Sequence, residues 1–215
     1  MPQTFLELYH EFVAEFTNAP KDYHEFIAIA TIGTAIGNKI SLPWGDNNLY
    51  PNLWLILVGE SSRLHKGTAL KVGQKLMYLL QQNINQKILY PNEFSHEKIL
   101  KNIAENPAGV FYHGEFKTLN EMFNKNYLLS TKSMLTDFYD GTPVPYQREL
   151  LQDGFKIEEA AFSIQSTSNL AWLLNSKTAE DIESGFLARF MIVPAYKVTG
   201  RKQRRFIFYR QCLQI

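Results

Sequence analysis

The segment VGESSRLHKGTAL, residues 58–70, sets a glycine, two serines, a lysine and a threonine between an apolar run and a helical pattern. Those residue types at that place suit a phosphate group. Backbone N–H groups converging on a helix start, with a cation that reaches the outer oxygens, hold polyphosphate chains. The common spelling is Gly, four residues, Gly-Lys, then Ser or Thr. In this chain Lys66 lies seven positions after Gly59 rather than six, His65 replaces the second glycine, and Gly67 replaces the hydroxyl. Gly59, Glu60, Ser61, Ser62, Lys66, Gly67 and Thr68 are the candidate phosphate holders. Thr68 is also a candidate Mg²⁺ ligand, one residue later than usual. Arg63 and His65 adopt positive φ less cheaply than glycine. The same outline also fits an ordinary strand–loop–helix turn.

Three further stretches bear on that chemistry. VFYHGE, residues 110–115, is an apolar strand pattern that runs out at Glu115. A carboxylate at a strand end beside a phosphate loop holds Mg²⁺ or orients an attacking water. It also fits a surface glutamate capping the next helix. SIQSTSN, residues 163–169, ends a strand pattern in polar groups, and Asn169 is the candidate that positions water there. Ser168 or Asn169 equally suits a helix N-cap before LAWLL. Arg189 stands in the apolar stretch SGFLARF, where a guanidinium needs a partner. Developing phosphate charge would meet that need, and so would a salt bridge to Glu183 or Asp181.

The elements that must position these residues follow from periodicity. Helical spacing covers residues 5–16 and 21–40, the second rich in small residues suited to close packing. A short strand at 41–44 and a turn at 45–48 lead to the buried strand 53–58. Helical patterns then cover 68–82, 95–105 with Ser95 as N-cap, 117–124 and 130–139. Strand patterns cover 109–112, 160–165 and 190–194, with a turn at 140–145. Apolar strands alternating with helices predict an α/β sheet covered on both faces. The expected organisation is a helical prefix at 1–45, a core at 46–200 and a basic tail at 201–215.

Composition narrows the function classes. A hydrophobic share of 45% with 20% charged residues suits a globular protein, and 215 residues can bury a substantial core. No apolar run approaches the roughly 20 residues of a membrane helix. The N-terminus lacks the basic start and apolar middle of a signal peptide, so a cytoplasmic location without a membrane partner is expected. One cysteine, Cys212, excludes an internal disulfide and a cysteine-rich metal site. Residues 184–215 carry seven basic and no acidic side chains, leaving 15 basic against 21 acidic before them, a net of −6. A basic tail contacts phosphates or stays solvated.

Taken together, PNLWLILVGESSRLHKGTAL, GVFYHGEF, MLTDFYDG, FSIQSTSN and SGFLARF resemble a family of poorly characterised P-loop proteins of bacteria, phages and plasmids. The family is known as a domain of unknown function, related to the helicase half of primase-helicases. The resemblance runs from about Asp22 to Pro194. It implies a RecA-like or AAA-type P-loop NTPase core with a mostly parallel sheet. It implies ATP and Mg²⁺ as cofactors, with Lys66 and Thr68 on phosphate and metal. Glu115 would be the acidic residue that orients water and helps hold metal, Asn169 the polar sensor, and Arg189 the finger or sensor arginine. Single-stranded DNA, a ring of identical subunits and a primase are the implied partners, in replication of mobile elements or in defence. Two departures stand out. Gly67 lacks the hydroxyl that usually follows the lysine, and the chain stops soon after its fourth buried strand, as a truncated domain would. The alternatives are a nucleotide-gated binding module without efficient hydrolysis and an inactive fragment.

Overall fold

The computed structural model describes residues 2–15, 17–125, 128–141, 145–148, 154–175 and 185–198. Two helices open the chain, α1 (Phe5–Ala14) and α2 (Lys21–Ile36). Thr4 caps α1 in a capping box: its hydroxyl accepts from the Glu7 amide, and the Glu7 carboxylate accepts from the Thr4 amide. Helix α2 ends before residue 40 because Gly37 takes φ 60° and turns the chain away. A hairpin follows, β1 (Leu42–Trp44) and β2 (Asn47–Leu49), closed by Gly45 at φ 60° and Asp46. The polar Asn47-Asn48 pair, expected in the turn, thus makes two of the three residues of β2.

The central sheet holds β3 (Trp54–Val58), β4 (Val110–His113), β7 (Ser163–Ser168) and β8 (Phe190–Pro194). Among the described residues it has four strands in the order β4-β7-β3-β8, all parallel. An isolated parallel bridge from Leu89 to Val110 extends it beyond β4. A second hairpin, β5 (Tyr146–Arg148) with β6 (Phe155–Ile157), stands apart and has no strand pattern that periodicity reveals. The described chain is therefore α/β with a parallel sheet, as the alternation of strands and helices predicts.

Both faces of the sheet are covered. Among the described residues, helices α3 (Lys66–Ile84), α4 (His96–Glu105), α5 (Phe116–Phe123), α6 (Leu129–Tyr139) and α7 (Leu170–Asn175) complete the set. Strand β3 shows the division: Trp54, Ile56 and Val58 enter a core with residues of α4, α5 and α6. Leu55 and Leu57 enter the opposite core with Tyr23 and Ile27 of α2 and Ala69 and Leu70 of α3. All five β3 residues are at most 1% exposed, which is why the run reads as continuously apolar. Each such aliphatic side chain contributes about 1.5–3 kcal/mol relative to exposure. The N-terminal helices are thus a layer over the sheet, with Tyr9 and Val13 of α1 in the same core.

Strand β7 differs from the sequence expectation. It spans Ser163–Ser168 rather than 160–165, so the hydroxyl-bearing residues lie inside the sheet. Long-range partners make this affordable: Ser166 Oγ donates to the His113 carbonyl at 2.8 Å and Thr167 Oγ1 to the Gly114 carbonyl at 2.7 Å.

Candidate functional site

The segment after β3 forms a loop that enters α3 at Lys66, two residues before the predicted start. Two residues that are not glycine carry positive φ in it, Ser62 at 62° and His65 at 49°. His65 occupies the left-handed region as the residue preceding α3, in the place where the common motif has glycine. Gly59, by contrast, is needed for packing. A Cβ there would stand 2.3 Å from Leu64 Cδ1 and 2.5 Å from the Tyr23 hydroxyl. That hydroxyl donates to the Val58 carbonyl at 2.6 Å, pinning the last residue of β3 to α2.

Lys66 lies only 9% exposed at the first position of α3. Its ammonium donates to the Gly59 carbonyl at 2.6 Å and the Glu60 carbonyl at 3.1 Å. The lysine therefore folds back over the loop it belongs to. Burial pushes the Lys66 ammonium below the ordinary lysine range, and the Glu115 carboxylate pushes it part of the way back. A new anionic neighbour would do more of the same.

A cavity of about 360 Å³ opens above this lysine. Of the sequence candidates, Ser61, Ser62, Lys66, Gly67, Thr68, Glu115 and Asn169 line it. They converge from three neighbouring strand ends: the loop after β3, the turn after β4 and the exit of β7. Open parallel sheets present ligands at that edge. Gly59 and Glu60 sit beneath the lining, offering their carbonyls to Lys66, while the exposed Glu60 carboxylate pairs with Arg63 at 3.0 Å.

Glu115 is exposed and precedes α5 with extended backbone, without a side-chain capping bond. Its carbonyl holds the local turn, accepting from the Thr118 hydroxyl at 2.8 Å and facing His113 Nδ1 at 2.8 Å. The carboxylate is left to face the cavity. Asn169 serves α7, with Oδ1 accepting from the Trp172 amide at 2.7 Å, and lines the cavity as well. The capping and cavity-facing readings of Asn169 hold together.

Arg189 is elsewhere. It lies in a 3-10 turn, Leu187–Arg189, before β8 and is not among the cavity residues. Its guanidinium forks onto Asp140, with Nε on Oδ1 at 2.9 Å and Nη2 on Oδ2, while Nη1 donates to the Gly185 carbonyl at 2.6 Å. The expected carboxylate partners, Asp181 and Glu183, and the basic residues 201–215 lie outside the described residues.

Sequence reasoning missed Lys71 and His65, and of the polar strand end Ser166–Asn169 that it set near the γ-phosphate it named only Asn169 as a site residue; His65, Lys71, Thr167 and Ser168 line the cavity as well. The signal for Lys71 was available: it follows Thr68 by three positions and so shares its helix face. Among the described residues no group of three or more His, Cys, Asp or Glu comes together to hold a metal. The donor set still fits Mg²⁺. A hydroxyl at Thr68 and a carboxylate at Glu115 are hard oxygen donors, and this ion takes one or two protein ligands when phosphate oxygens and water fill the rest. Among the described residues no helix is long and apolar enough to cross a membrane. In comparisons with known proteins, no family model matches the chain and no curated protein is similar to it.

Proposed function

We propose that the chain binds ATP with Mg²⁺ and hydrolyses it, as a P-loop NTPase of RecA-like or AAA type. The observation that carries this reading is the buried Lys66 ammonium at the start of α3, resting on the Gly59 and Glu60 carbonyls and facing a cavity that Glu115 closes from the next strand end. A cation so placed rests on two carbonyl dipoles with the Glu115 carboxylate acting on it across the cavity, and phosphate oxygens would replace those carbonyls as partners. The strand order supports the reading too, since β7 stands between the loop strand and the acidic strand and offers Thr167 and Asn169 between them.

In the proposed reaction Lys66 and the loop amides hold the β and γ oxygens. Glu115 orients a water whose oxygen attacks the γ phosphorus, and the bond to the β–γ bridging oxygen breaks, giving ADP and phosphate. Asn169 helps place that water, and Lys71 adds a second cation at the cavity wall. Mg²⁺, when bound, would neutralise charge on the phosphate oxygens, with Thr68 and Glu115 as its protein ligands. The resemblance of the sequence to the helicase half of primase-helicases extends the proposal to a DNA-dependent motor that works as a ring beside a primase.

The test is steady-state ATP hydrolysis with Mg²⁺, with and without single-stranded DNA. Lys66→Ala should weaken ATP binding about 10- to 100-fold, the cost of a charged hydrogen-bonding partner. Glu115→Gln should keep binding and cut turnover by about 100-fold or more. Normal hydrolysis by Glu115→Gln would remove Glu115 from the reaction. A second reading, a nucleotide-gated module with little turnover, is favoured by the missing hydroxyl at Gly67 and by Arg189 being engaged on Asp140. ATP binding without DNA-stimulated hydrolysis would select it.

A further inference from the structure

Tyr196 is the most exposed large apolar or aromatic side chain among the described residues, at 74%. It follows β8, and β8 is the strand next to β3 on the side away from β7 and β4. The chain at this point is tied to the phosphate loop. The Ala195 amide donates to the Val58 carbonyl at 3.0 Å, and the Ala195 carbonyl stands 3.1 Å from where a Cβ on Gly59 would be. Tyr196 therefore leaves the sheet beside the first residue of the loop, directly after a residue whose amide is bonded to the end of β3.

The strand order gives a bound nucleotide a direction. The acidic end of the cavity lies over β4 and β7, with Glu115, Thr167 and Asn169, and Lys66 lies over β3. A terminal phosphate placed at the acidic end leaves the sugar and base to extend the opposite way, past β3 towards β8. Neighbouring strands are about 4.8 Å apart, so the end of β8 is one such step beyond the loop. An aromatic ring two residues past that strand and open to solvent is a stacking surface. Trp44, the other highly exposed aromatic, lies on the β1–β2 hairpin that precedes β3 and so belongs to the opposite sheet edge.

Resting on the nucleotide reading above, we propose that Tyr196 is the platform on which the base of the bound nucleoside triphosphate stacks. Every base has a π face, so the platform gives affinity with little choice among bases. ATP and GTP should bind within a few-fold of one another.

The experiment is calorimetric titration of the full chain, with Mg²⁺, by ATP and by inorganic tripolyphosphate. In Tyr196→Ala the affinity for ATP should fall about 5- to 100-fold, the range for loss of one stacked base. Affinity for tripolyphosphate should stay within twofold, and Tyr196→Phe should bind ATP like the wild type. An unchanged ATP affinity in Tyr196→Ala, or an equal loss for both ligands, overturns the platform. If the wild-type chain binds tripolyphosphate but ATP no more tightly, the platform fails while the phosphate site stands. If it binds neither, the nucleotide reading fails and takes this one with it.

Discussion

At the scale of single residues, the loop after β3 does with a histidine what is commonly done with a glycine. His65 holds φ 49° and ψ 32°, a conformation that costs an L residue about 1–2 kcal/mol. Glycine removes that cost but adds entropy to the unfolded chain, so His65→Gly should stabilise by about 0.5–1 kcal/mol net. A thermal melt should show a rise of about 1–3 °C, and a fall would mean that the imidazole makes a compensating contact. Gly67 is the opposite case. Its φ is not positive, and a Cβ there would meet nothing within 4 Å, so nothing in the fold demands glycine. Gly67→Ser should gain a few tenths of a kcal/mol in helix propensity. It should also raise Mg²⁺-dependent turnover; an unchanged rate would show that Thr68 already supplies the hydroxyl. Residue type and spacing made Lys66, Glu115 and Asn169 legible as neighbours. Lys71 was legible by the same means, since it lies three positions after Thr68 and so on the same helix face.

At the scale of elements, the position of Glu115 depends on β7. The Ser166 and Thr167 hydroxyls grip the His113 and Gly114 carbonyls, the two that immediately precede Glu115 in the chain. Removing both donors in Ser166→Ala/Thr167→Val leaves carbonyls short of partners and should destabilise by about 1–3 kcal/mol. On the proposed function the site should respond selectively: kcat should fall while the ATP dissociation constant, assigned there to Lys66 and the loop, stays within a few-fold. A parallel loss of binding would show that these hydroxyls support the whole cavity. This grip also explains why the strand was read three residues too early. Hydroxyl-rich residues at a strand end look like loop in a local window, and their partners are some fifty residues away. The apolar strands β3, β4 and β8 needed no such knowledge, and neither did the Ser95 cap, whose hydroxyl accepts from the Lys98 amide at 3.3 Å. The β5–β6 hairpin has three residues in each strand, too few for a period to show.

At the scale of the whole molecule, the N-terminal helices are joined to the sheet by one buried layer, and that layer contains an acid-sensitive point. His24 of α2 is 2% exposed, with Nδ1 3.4 Å from the Tyr9 hydroxyl of α1. Burial, with a smaller contribution from nearby His10, lowers its pKa to about 4. In the unfolded chain the same imidazole takes up a proton near 6.5. Between those two values the unfolded state binds more protons than the folded one, so stability falls as pH falls. The contribution is fully present above pH 6.5 and is lost progressively down to about 4, on the order of 3 kcal/mol across the window. Urea denaturation at pH 7 and pH 4.5 measures it. The wild-type midpoint should drop between the two, and His24→Phe should flatten that drop even if its own stability at pH 7 is lower. Equal drops in both chains would assign the acid sensitivity to carboxylates such as Glu7, whose pKa the Thr4 capping bonds hold below the ordinary value. The packing places the consequence near the proposed site. Tyr23, the neighbour of His24, holds the Val58 carbonyl at the entrance to the loop after β3. Acid loosening of α2 should therefore weaken ATP binding before the sheet melts, and nucleotide titrations over the same pH range would show that order.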